Sequence, residues 1–278
     1  MEYNIFGCLL FGLISGFSEF LPVSTLAHQY IFGYLTGFSG NTPYIRMTVY
    51  LGCLAAVLLC CRKRIVHIYR ELRLASLPKR RRRRLPDMQA VSDFKLTVIG
   101  LIPMVVGIFF YNASVSVFSN LPFVCLMLIV SGILSYLPQY MASGFRNSKN
   151  LTPLDGILLG TCSALAVIPG VSRMGLALFA GKARRCGRES ILELAFLIFI
   201  PMLFLLVVFH MIQLFAATGF VMTAAALFAG FVSALASFGG AMAAIYLIRY
   251  LIFSADVQGF SFYCWGLAVF CFVYYLLT

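Results

Sequence analysis

A chain of 278 residues that is 62% hydrophobic and only 11% charged lies far from the composition of a soluble domain, which is about 45 to 50% apolar and 25% charged. Its apolar segments run to about 18 to 25 residues and do not alternate in ten-residue blocks, which excludes an outer-membrane barrel and predicts an all-α polytopic membrane protein. The formal charge of +12 is concentrated in one stretch beside an apolar segment, so it points to membrane topology and not to nucleic acid; the nine cysteines are odd in number, scattered mainly through apolar segments and form no CxxC pair, so they read as small membrane hydrophobes and not as a disulfide framework or a metal motif.

The first segment has Glu2 as its only early charge and no small-residue cleavage site, so it does not read as a cleaved signal. Residues 3 to 37 are interrupted at Pro22, Gly33 and Gly37 and predict a re-entrant helical hairpin, with a single span kinked at Pro22 as the alternative. Within it, Ser15 to His28 reads SGFSEFLPVSTLAH and places Glu19, Ser18, Ser24, Thr25 and His28 between apolar flanks. An ionisable group at the centre of a bilayer costs roughly 2.5 kcal/mol or more, so such groups normally mark function. Residues 44 to 61 make the first full crossing. Eleven Lys or Arg then fall between Arg62 and Arg84 against one acid, Glu71, which makes a basic cytoplasmic loop over 62–93 that also meets anionic membrane lipid.

Further crossings are expected at 94–111, 121–140, 190–214, 220–252 and 260–277, with a second re-entrant pair at 154–183. That pair carries SALAVIPGVSRMG from Ser163 to Gly175, with Arg173 as its charge. In this topology only Arg46 and the embedded Arg173 depart from the positive-inside rule, leaving nineteen of the twenty-one cations on one side. Both termini then lie outside. Gly12, Ser15 and Ser24 recur as Gly160, Ser163 and Ser172 at a constant offset of 148. Each half, 1–150 and 151–278, is one hairpin plus three crossings. An odd number of crossings inverts the second half relative to the first, an arrangement that brings broken helices together near the midplane.

Breaks at Pro22 and Pro169 free backbone N–H groups at helix N-termini, which favour anions. Gly170, Ser172 and Arg173 add a close-approach residue, a hydroxyl and a guanidinium, and with Ser24 and Thr25 they suit a phosphate or diphosphate. Glu19 is the candidate ligand for a divalent cation (Mg or Ca), or the residue that orients His28. His28 is the candidate proton shuttle; Thr25 or Ser172 is the nucleophile if His28 activates it, or His28 takes the phosphoryl group itself. Against these stand blander roles: Ser24, Thr25 and Ser172 as interhelical hydrogen bonds, Glu19 with Arg173 as a structural pair, and His28 as a satisfied core histidine. His67 and His210 read as structural, and Glu193 as a helix-start charge.

At these residues the chain resembles the undecaprenyl-diphosphate phosphatase family of bacitracin-resistance membrane proteins. The resemblance rests on SEFLPVST followed by His28, YLGCLAAVL at 50–58, LIPMVVG at 101–107, IPGVSR at 168–173 and ELAFLIFIPM at 193–202. It implies two interdigitated re-entrant hairpins, six crossings and a site open to the outer face of the bacterial cytoplasmic membrane. The implied reaction hydrolyses the diphosphate of a C55 lipid carrier to the monophosphate with a divalent cation, which recycles the carrier for peptidoglycan synthesis. Glu19, Ser24, His28, Gly170, Ser172 and Arg173 match the family motifs. The first of two usual glutamates is Ser15 here, the second motif serine is Met174, its threonine is Ala177, the second serine of PVSS is Thr25 and the glycine before the histidine is Ala27.

The expected protein is therefore a polyprenyl-diphosphate phosphatase with Glu19, His28, Ser172 and Arg173 as catalytic residues lining one cavity. The expected partners are the lipid diphosphate and, as a homodimer, a second copy of the chain, with no nucleic acid. A homologue that binds or translocates polyprenyl phosphate without hydrolysis is the alternative, and a structural membrane protein is a third reading.

Overall fold

The computed structural model describes residues 4–38, 40–82, 84–142, 144–219, 222–254 and 257–278. Residue 3 of the expected first hairpin, Arg83 of the basic run and residues 220–221 of an expected crossing lie outside the described residues. The protein is an all-α polytopic membrane protein, with six helices among the described residues long and apolar enough to cross a bilayer. In chain order these are α3 (Pro43–Ser76), α4 (Met88–Phe109), α6 (Leu121–Tyr136), α9 (Arg188–Thr218), α10 (Ala224–Ser254) and α11 (Gly259–Leu277). Between them lie the shorter α1 (Ile5–Glu19), α2 (Thr25–Thr36), α5 (Tyr111–Phe118), α7 (Pro153–Leu165) and α8 (Arg173–Ala183).

The expected loop starting at residue 62 is helical as far as Ser76. Lys and Arg are good helix formers, and acids from neighbouring segments neutralise several of them. Arg64 pairs with Asp93 of α4, and Arg84 pairs with Glu71, whose carboxylate also accepts from the Asp87 amide at 2.9 Å. His67 donates to Asp87 at 3.1 Å; that hydrogen bond and the one from the Gln89 amide hold the Asp87 carboxyl below its usual range. His67 thus has the structural role expected of it.

Short helices α1 and α7 are each packed against a long helix from the other half of the chain. A Cβ on Gly12 would meet the Ser233 carbonyl oxygen of α10 at 2.5 Å, and one on Gly16 would meet that of Ser237 at 2.1 Å. Reciprocally, a Cβ on Gly160 of α7 would lie 2.2 Å from the Gly100 oxygen of α4. Small residues are what allow two backbones to approach this closely in lipid, where apolar burial gives little drive to association. These contacts advance in step along both pairs, so α1 runs parallel to α10 and α7 parallel to α4. Helix α3 is parallel to α10 as well, since Tyr44 meets Gly230, Gly52 meets Ser237 and Cys60 meets Met242.

The helix pairs α1–α2 and α7–α8 consequently start from opposite ends of the bundle. At the end carrying the basic residues, Asp155 in the first turn of α7 accepts from Arg184, just past α8, at 2.5 Å and from Arg146 at 3.2 Å. At the other end, Phe38, just past α2, lies against Gly7 in the first turn of α1.

Candidate active site

Both hairpins break at a stretch that cannot continue as helix. In the first, α1 ends at Glu19, Phe20 to Val23 turn around Pro22, and Ser24 caps α2, its Oγ accepting from the Ala27 amide at 3.3 Å. In the second, α7 ends at Leu165, Gly170 adopts φ +100°, and Ser172 caps α8 by accepting from the Gly175 amide at 3.1 Å. A side chain at 170 would be strained by that φ and would also meet the Met127 Cβ at 2.3 Å. Non-helical backbone in lipid has to be covered by protein, and the breaks are: Phe20, Leu21 and Val23 are buried, Phe20 against Phe196 of α9, while Ser114 donates to the Val167 carbonyl at 3.0 Å. Ser131 of α6 donates to the Gly170 carbonyl at 2.7 Å and accepts from the Ser172 amide at 3.0 Å.

The two tips meet. The Gly170 amide donates to Ser24 Oγ at 3.0 Å, and Arg173, the first residue of α8, donates to the carboxylate of Glu19, the last residue of α1. Both side chains of this pair are buried, at 9% and 2% exposed. The guanidinium also lies 5.6 Å over the Phe199 ring, and its Nε has no hydrogen-bond partner. Around the pair is a cavity of about 10 Å³ lined by Glu19, Thr25, Tyr50, Tyr111, Val171 and Arg173, space for about one water molecule.

Of the four residues expected to line one cavity, Glu19, His28, Ser172 and Arg173, the structure places Glu19 and Arg173 there, joined by Thr25. Ser24, Gly170 and Ser172 stand beside it but are engaged in holding the tips: the two hydroxyls cap helices and the Gly170 amide is given to Ser24. The expectation that His28 would share the cavity is not met. His28 is one turn into α2 and lines a different, largely apolar cavity with Leu13, Phe17, Gly240, Phe260 and Tyr263; Val23 forms a wall of both. Its Nδ1–H donates to the Ser24 carbonyl at 2.6 Å, which leaves Nε2 as the acceptor of the Tyr263 hydroxyl at 2.8 Å. The two rings are stacked 5.7 Å apart. Thr25 and His28, three positions apart, project only about 60° apart around α2, and the two cavities they line are adjacent, with Val23 as the shared wall.

Tyr50 and Tyr111 were not singled out as site residues by sequence reasoning. Both are fully buried on the cavity wall, and behind them Tyr50 stacks on His210 at 5.6 Å and 5°. Arg46 donates to the Tyr111 hydroxyl at 3.3 Å and to Asn41 at 2.6 Å. The one available signal was Arg46 itself, a cation on the side where the charge rule expects few. His210 donates from Nδ1 to Gln213 at 2.8 Å and has the packing role expected of it, while Glu193 lies 4.0 Å from Arg64 near the start of α9.

A divalent cation fits this arrangement poorly. Among the described residues no three His, Cys, Asp or Glu side chains gather to hold a metal ion. Glu19, the single carboxylate of the cavity, is taken up by Arg173, and Ser15, one turn before it, is wholly buried and accepts from Gln29 at 3.1 Å.

A model of the bacitracin resistance protein BacA family matches residues 8–270. Among curated proteins, the chain is 36% identical over 193 residues to the undecaprenyl-diphosphatase of Renibacterium salmoninarum, covering 69% of this chain and 68% of that one. It is 33% identical to the undecaprenyl-diphosphatase of Clavibacter michiganensis subsp. michiganensis, over 84% and 86% of the two chains. A third, from Methanobrevibacter smithii and bearing the same name, is 30% identical over 96% of this chain and 97% of its own.

Proposed function

The chain belongs to the bacitracin resistance protein BacA family, and from that membership we propose that it is an integral-membrane phosphatase converting undecaprenyl diphosphate to the monophosphate in the bacterial inner membrane. The observation that carries this to particular residues is the buried Glu19–Arg173 pair at the meeting of two broken helices. A terminal phosphate competes with Glu19 for Arg173, because it brings more charge and can also accept from the first amides of α8, where the helix dipole favours an anion. Displacement of Glu19 does two things at once. It gives the guanidinium a bidentate phosphate partner, with its unpartnered Nε available, and it frees a carboxylate beside the reacting phosphorus.

The freed Glu19 then takes a proton from the attacking group, either a water, which gives inorganic phosphate directly, or the Thr25 hydroxyl, whose phosphoester a second water then hydrolyses to release phosphate. The P–O–P bond breaks on the far side, and Arg173 holds the charge that gathers on the phosphoryl oxygens. Ser24, Gly170 and Ser172 serve by fixing the two tips in contact, and Tyr50 and Tyr111 close the cavity. His28 acts on this site only through α2 or after leaving Tyr263.

The division into inverted halves 1–150 and 151–278 is part of the same reading. It is supported by the reciprocal packing of α1 on α10 and α7 on α4, and by helix pairs that start from opposite ends. The basic end is the cytoplasmic one, with its exposed arginines against anionic lipid.

Release of inorganic phosphate from C55 diphosphate by purified protein, compared with Arg173→Ala, tests the reading. Turnover abolished by that change supports it. No phosphate release above that variant, with lipid binding retained, would overturn it in favour of a protein that binds the lipid without hydrolysis.

A further inference from the structure

At the basic end of the molecule, far along α8 from Arg173, is a second cavity that the reaction does not use. It is about 60 Å³ and is lined by Ser135, Gln139, Lys182, Arg188 and Gln258 among others. Lys182 is in the last turn of α8 and only 8% exposed, and among the described residues no acid is within ion-pair distance of it. Ser135 is 2% exposed, and among the described residues its Oγ has no hydrogen-bond partner; Gln139 presents its carboxamide to the same cavity. Helix α9 begins here at Arg188 with no side chain capping its first amides. Glu189, in the same turn, is exposed and is not part of the wall.

The C-terminal dipole of α8 explains a cation at this position but not its burial beside a hydroxyl left unmatched. A buried ammonium and a buried hydroxyl without a partner are each costly, and one ligand relieves both if it is a compact anion with several acceptor oxygens. Two cations, a hydroxyl, a carboxamide N–H and a free helix N-terminus fit a tetrahedral oxyanion. We propose that this cavity is a second phosphate site, on the cytoplasmic face, which takes either free phosphate or the head group of a lipid monophosphate. Lys182 stands nine residues after Arg173, about 14 Å along the axis, so one short helix carries a cation for each of two phosphate sites.

Calorimetric titration of the full-length protein in nanodiscs, with inorganic phosphate and separately with farnesyl monophosphate, tests this. Lys182→Met should weaken binding about tenfold or more and Ser135→Ala by about threefold to tenfold, as loss of charge-assisted hydrogen bonds requires, and binding at this site should survive Arg173→Met. Farnesyl monophosphate binding at least about tenfold tighter than phosphate identifies a lipid head group as the ligand; equal affinities identify free phosphate. The proposal is overturned if Lys182→Met and Ser135→Ala, with wild-type melting temperatures, bind both probes as wild type does, or if Arg173→Met alone abolishes all binding. Should Lys182→Met fail to fold, Ser135→Ala and the charge-preserving Lys182→Arg decide: unweakened binding by Ser135→Ala rejects the site.

Discussion

The two hairpins use one plan with opposite charges, and the contrast shows what holds the site. Each is a helix, a break and a serine-capped helix, packed through small residues on a long helix of the other half. In the first hairpin the charge is an acid on the last residue of the entering helix; in the second it is a base on the first residue of the leaving helix. Helix dipoles disfavour both placements, since a C-terminus repels Glu19 and an N-terminus repels Arg173. Each side chain therefore depends on the other, and the proposed phosphate would suit the α8 terminus because helix N-termini favour anions. The cap serines differ as well. Ser24 Oγ accepts from both Ala27 and Gly170, tying the tips together, whereas Ser172 Oγ caps its own helix alone.

Breaking the charge pair should have the largest effect. Arg173→Ala is expected to lower kcat by about 10² or more, as for loss of a group that meets transition-state charge, and Arg173→Lys should recover little because a point charge does not replace the fork. Either Glu19→Ala or Arg173→Ala should also destabilise the fold by about 3 to 5 kcal/mol through the uncompensated partner. The double change Glu19→Ala with Arg173→Met should restore much of that stability and none of the activity. A single variant as stable as wild type in thermal unfolding would show the pair to be solvated.

Next come the helix contacts that seat the hairpins. Gly16→Ala and Gly160→Ala each place a methyl inside the van der Waals distance of a carbonyl oxygen and should each destabilise by about 1 to 3 kcal/mol despite the better helix propensity of alanine. Equal losses in the two hairpins would support the repeat, and a loss in one alone would break the symmetry. Ser24→Ala should then cost more than Ser172→Ala, about 2 against about 1 kcal/mol, because it forfeits the inter-hairpin bond besides the cap.

Smaller effects separate His28 from the charge pair. With Nε2 on Tyr263 in another cavity, His28→Gln should lower kcat by less than about tenfold, or 1.4 kcal/mol, and Tyr263→Phe should leave the pH profile of turnover in place. A His28→Gln loss as large as that of Arg173→Ala would mean that the ring enters the site during turnover. The smallest effect belongs to Asp87. Its carboxyl is held below the usual value by His67 and the Gln89 amide, so its contribution is present above about pH 4, the unfolded value, and fades as pH falls through the lower folded one. Amide protection around residues 84–90, taken relative to the intrinsic exchange rate at each pH, should fall in acid below about pH 4, and Asp87→Asn should remove that loss.

The sequence by itself determined the class, the six crossings, the two helix breaks and the identity of the charged residues, because hydropathy, proline and buried charge are costs that a single chain displays locally. It placed Glu19 and Arg173 as candidates and left open whether they pair. Tertiary structure decided that they do, that Ser24 joins the tips, that His28 turns toward Tyr263, and that Tyr50 and Tyr111 close the cavity. Those are matters of which side of a helix meets which neighbour. Thr25 and His28 project only about 60° apart on α2, yet they fall on opposite sides of the Val23 wall, and no local pattern fixes the rotation of α2 against α11. The burial of Lys182 was hidden for the same reason: in the sequence it is one more cation of the positive side, and only the packing of α8 against α6 and α9 removes it from water.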